Sequence, residues 1–155
     1  MKNSHTVLVL QQVLRVLENI PEPAFDLRSW QSPCGTTACV IGHCAQDKWF
    51  NEQGLTLHSL RYPTHPKGHA WEAIFATLEL PGSLAKMSFA EYLFSNAYYS
   101  VGSKDEVAAR ILLVINLLQS AKPITPDDLG CLPKSAQSEE NRLVRYFNNY
   151  FTEVN

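Results

Sequence analysis

Apolar positions along the chain fall into stretches of helical period, set apart by proline- and glycine-marked breaks. Val7, Leu10, Val13, Leu14 and Leu17 follow the i, i+3, i+4, i+7 rule and predict a helix over 4–19. Ser4 stands where it can cap the free amides of the first turn. Val9, Val16 and Ile20 widen the stripe, so two neighbours are expected to pack on it. Pro21 and Pro23 end the helix, because proline lacks a donor and restricts the residue before it. Phe25, Leu27 and Trp30 are the expected core anchors of the irregular stretch beyond it. A second helix is predicted over 36–50 with Thr36 or Thr37 as cap. It places Ile41, Cys44, Ala45 and Trp49 on one face, with Val40, His43, Asp47 and Phe50 beside it. Asn51 to Gly54 reads as a turn. Leu55 and Leu57 alternate with Thr56 and His58 as a short strand would, and Pro63, Pro66 and Gly68 read as a loop.

The second half is helix after helix. Trp71, Ile74, Phe75 and Leu78 define one, closed by Pro81 and Gly82. Ser88 and Glu91 have capping-box spacing before Tyr92, Leu93 and Phe94, and Ser103 and Glu106 repeat it before Val107, Ala108, Ile111, Leu112, Ile115 and Leu118. Pro123 stops that run. Thr125-Pro126-Asp127-Asp128 starts a single turn with acids at its positive end, and Gly130 terminates it. Leu143, Val144, Phe147, Tyr150 and Phe151 predict a last amphipathic helix over 138–152. With no linker, repeat or low-complexity tract, residues 1–155 read as a single domain: a compact all-α bundle of five to six helices, with room for a minor β-hairpin near 55–62.

Composition narrows the class. Of 155 residues, 45% are hydrophobic and 18% charged, which excludes a disordered chain. A net charge of −2 argues against dedicated nucleic-acid or anionic-membrane binding. The apolar run from Thr6 to Leu10 is cut by Gln11, Gln12 and Arg15, too soon for a signal core or a membrane span. A cytoplasmic protein is therefore expected, its four cysteines reduced thiols or metal ligands.

The chemistry concentrates between Cys34 and Cys44. Cys34 sits just ahead of a predicted helix start, where free amides and the dipole favour a thiolate. With His65 or His69 as base this would be a cysteine nucleophile, against the plainer reading of a small buried side chain. Cys39 and His43 lie four apart on one helical face, as two ligands of a zinc ion would. Cys34 could add a third ligand, and His58, His65, His69 or Cys131 a fourth. The plainer alternative makes Cys39 and Cys44 core residues and pairs His43 with Asp47. No glycine-rich phosphate loop occurs, and Asp127-Asp128 and Glu139-Glu140 are explained as helix-start charge. Arg142 and Arg145 share a face of the last helix that reads as solvated, without aromatic interleaving towards solvent. Tyr98, Tyr99 and Val101 are either an exposed partner site or a lid over the core. Trp30, Trp49 and Trp71 could line a small-ligand pocket, or serve as aromatic core.

Two resemblances attach to these residues. A cysteine opening a helix and a later Gly68-His69 are similar to papain-like cysteine hydrolases, although the segment after His69 reads as helix rather than the β-rich half of that family. Phe25, Trp30, Cys34-Gly35-Thr36, Cys39 and Gly42, with Leu93-Phe94 and Ala108-Ala109, resemble a pattern in small uncharacterised bacterial and phage proteins. That resemblance implies accessory or mobile-element cargo, with His43 a replaceable position. The expected function is a non-enzymatic binding protein acting on another protein, without a cofactor. A hydrolase using Cys34 and His69 and a structural zinc protein using Cys34, Cys39 and His43 are the alternatives.

Overall fold

The computed structural model describes residues 3–21, 24–25, 39–59, 62–83, 85–95, 103–130 and 137–152. Among them are seven α-helices and a small three-stranded sheet. Helix α1 (Ser4–Glu18) buries Val7, Val9, Leu10, Val13, Val16 and Leu17, the stripe its sequence predicts. It packs on α2 (Val40–Cys44), α4 (Trp71–Leu78) and α6 (Lys104–Ser120), three neighbours rather than two. Its cap differs from expectation. Ser4 is already helical and Asn3 takes the cap position with a φ of 67°, making no side-chain bond to the helix start. The Asn3 amide instead donates to the carbonyls of Leu118 at 3.0 Å and Phe151 at 2.8 Å, tying three chain segments together.

The predicted helix over 36–50 is two helices, α2 and α3 (Lys48–Glu52). Residues 36–38 lie outside the described residues, and Cys39 rather than Thr36 or Thr37 caps α2. The break is at Asp47, extended at φ −88° and ψ 139°, whose carboxylate accepts from the Trp49 and Phe50 amides. Aspartate competes with the helical backbone in this way, and here a second partner reinforces it. Arg15 on α1 grips both carboxylate oxygens, at 3.1 and 2.8 Å. The interruption turns Phe50, 1% exposed, into the core and leaves Trp49 half-buried.

Strands β1 (Thr56–Leu57), β2 (Pro63–His65) and β3 (Gly68–His69) form an antiparallel sheet in sequence order, with Thr56 opposite Thr64 and His65 opposite Gly68. The segment read as a loop from its prolines thus supplies two strands. Pro63 opens β2, a position that tolerates the missing donor, and Pro66-Lys67 make the turn. The sheet leans on α4, and Gly68 lies so close that a Cβ there would come 2.5 Å from that of Glu72.

Helix α5 (Lys86–Phe94) is buried nearly all round, through Ser88, Phe89, Ala90, Tyr92, Leu93 and Phe94. Ser88 therefore lies inside the helix rather than capping it, and Ala85 takes the cap position. Ser103 does cap α6, accepting from the Glu106 amide, and the turn Pro126–Leu129 carries a full capping box between Thr125 and Asp128. Helix α7 (Gln137–Tyr150) closes the core, laying Tyr146, Phe147 and the nearby Phe151 around Phe89 with ring centroids 5.4–5.7 Å apart. No described helix is long and apolar enough to cross a membrane.

Candidate functional site

Cys39 points its sulfur back into its own helix, accepting from the Gly42 amide at 3.4 Å. Cys44 is fully buried, and burial, with Cys39 and Asp47 nearby, pushes its thiol well above the usual range, so it stays protonated. His43 approaches the Ala24 carbonyl through Nε2 at 2.7 Å. A carbonyl only accepts, so Nε2 carries the proton. The expected His43–Asp47 pair is absent, because Asp47 is held by Arg15 and the α3 amides. The Arg15 hydrogen bonds, then the Phe50 and Trp49 amides, lower its pKa below the ordinary carboxylate value.

Cys34 and Cys131 lie outside the described residues. His69 stands on β3 with its ring edge-on to Tyr62 at 5.9 Å, while His58 stacks on that tyrosine at 5.0 Å. His65 turns away, accepting the Lys67 amide at Nδ1. Among the described residues no group of three or more histidine, cysteine or acidic side chains is arranged to hold a metal. Trp49 borders a shallow depression of about 420 Å³ with Arg15, Asp47 and Lys48, and Trp71 packs on the core. Trp30, Leu27, Tyr98, Tyr99 and Val101 are outside the described residues, whereas Phe25 does anchor on the core.

A different place gathers polar groups around a closed floor. The loop leaving α4 and the exposed face of α7 enclose a cleft of about 460 Å³, lined by Ser83, Ala85, Arg142, Arg145, Tyr146, Asn149 and Tyr150. The five α7 residues fall at i, i+3, i+4, i+7 and i+8, so one helix face supplies them. Tyr146 is the hinge of this arrangement. It is 2% exposed and its phenol donates to the Pro81 carbonyl at 2.7 Å, fixing the loop to the helix. Burial, then the neighbouring Tyr150, pushes its ionisation far above the tyrosine range. Tyr150, 41% exposed, lies 5.1 Å from Tyr146 and covers Gly82 so closely that a Cβ there would sit 2.7 Å from the ring. Gly82 also has φ +74°, a conformation that side chains rarely adopt. Arg142, Arg145 and Asn149 are exposed around the rim.

Arg142 and Arg145 are exposed as expected, and the one departure from a face without aromatics towards solvent is the half-exposed Tyr150. Tyr146 and Tyr150 interleave with the arginines at four-residue spacing, and that Arg-x-x-x-Tyr-x-x-x-Tyr pattern is the signal the sequence carries. No family model matches the chain, and no curated protein or solved structure does.

Proposed function

We propose that this chain is a non-enzymatic accessory protein that binds another protein, and that the cleft between the 81–85 loop and α7 is where the partner sits. The supporting observation is the make-up of the cleft. Its described lining offers guanidinium, amide and hydroxyl groups around a tyrosine wall, and it holds no carboxylate, imidazole or thiol to act as base or nucleophile. Half-exposed tyrosine and arginine are the side chains that carry energy at protein interfaces. A cytoplasmic setting and a role as mobile-element cargo belong to the same reading, on the resemblance through Cys34-Gly35-Thr36, Cys39 and Gly42.

The test is site-specific photocrosslinking in cells, with the photoreactive residue placed at Asn149 or, as control, at the exposed Leu112 of α6. Binding through the cleft gives a discrete adduct from position 149 and none from 112. Equal, diffuse labelling at both positions would overturn the reading.

A further inference from the structure

Resting on that binding reading, we infer that the cleft accepts an acidic, partly apolar peptide segment, its carboxylates on Arg145 and Arg142 and an apolar side chain against the exposed ring of Tyr150. The charge pattern carries this. Arg145 and Arg142 border the cleft and its described lining contains no carboxylate, a pattern complementary to an anion. Arginine presents planar, forked donors that match a carboxylate two-to-two, which favours this anion over a diffuse negative surface. Arg142 already holds another contact, so Arg145 is the primary carboxylate partner.

The floor adds the second requirement. Ala85 and Tyr146, 8% and 2% exposed, close the bottom, and the 41%-exposed ring of Tyr150 is the apolar surface that a purely ionic ligand would leave wet. Asn149 and Ser83 supply the donor and acceptor that an extended peptide backbone needs on its way past. A nucleic acid fits less well. Two cations neutralise about two phosphates, where backbone binders commonly engage about 6–10.

The experiment titrates the full chain with a fluorescent, N-acetylated, C-amidated peptide of alternating glutamate and leucine. Its glutamine-for-glutamate counterpart and an oligothymidylate of similar length serve as the other arms. The glutamate peptide is expected to bind and to move the backbone amide resonances of Ser83, Arg145 and Asn149. Binding should weaken with added salt and fall at least about tenfold in the R142Q/R145Q double variant. Both arginines are exposed, so that variant should keep its helical signal. Equal binding of the glutamine peptide, or no loss in the double variant, overturns the acidic preference and leaves the protein-binding reading to the crosslinking result. Tighter binding of the oligothymidylate, or no resonance change with either peptide, also overturns it.

Discussion

Asp47 shows how much of the molecule one carboxylate can organise. It stops α2, caps α3 and receives both nitrogens of Arg15 from a helix 32 residues earlier. Its cap and its ion pair are separable. D47A removes both and should cost about 1–2 kcal/mol, whereas D47N keeps an acceptor for the Trp49 and Phe50 amides and should cost less than about 1 kcal/mol. Urea unfolding of the two variants decides the split, and equal losses would mean that the Arg15 contact dominates. The lowered folded-state pKa also fixes a pH window. The contribution is whole above the unfolded value of about 3.9 and drains away as pH falls through the folded value, so both variants should show a flatter acid limb.

Among the elements, helices end where their sequences would not choose to. Ala121 comes after α6 at φ 52° and ψ 23°, and Glu79 after α4 at φ 53° and ψ 47°, both in the left-handed region where glycine is the unstrained residue. A121G should therefore raise stability by about 0.5–1 kcal/mol, seen as a Tm higher by about 2–4 °C. A lower Tm would mean that the Ala121 methyl packs usefully. Local details of this kind also mark the limit of what a sequence reveals. The stripes on α1 and α6 were legible because each long helix buries one face, Ser103 because it stands three residues before Glu106, and the turn after Thr125 because proline and two acids mark its start. The α2–α3 break was not, since it needs Arg15 to hold Asp47 from outside the segment. Strand β1 was legible in the alternation around Thr56 and Leu57, whereas β2 and β3, of three and two residues, lay in a segment whose prolines read as a loop. The cleft was hidden for the same reason as the break: Tyr146 falls outside the stripe read for the last helix, and its phenol meets Pro81 from 65 residues away.

At the scale of the whole molecule, α5 is the spine and two buried phenols brace it. Tyr92 donates to the Leu129 carbonyl at 2.7 Å and Tyr146 to that of Pro81, and burial raises the pKa of both. The native state therefore keeps protons that the unfolded chain gives up near pH 10. Stability should be whole below that pH and should fall as pH rises further, because the folded form then binds more protons than the unfolded one. Denaturant unfolding from about pH 9 to about pH 11 checks this. Y146F should flatten the decline, and an unchanged slope would assign it to other groups.

The Asn3 amide has a consequence in time. One NH2 group satisfies the terminal carbonyl of α6 near Leu118 and the carbonyl of Phe151 just beyond α7, while its backbone begins α1. Spontaneous deamidation, the slow hydrolysis to which asparagine is prone, would replace that donor with a carboxylate. Two carbonyl oxygens that now share a proton source would then face a negative charge. The start of α1 would be pushed from the ends of α6 and α7, so the seam between these three helices is where an aged molecule would begin to open.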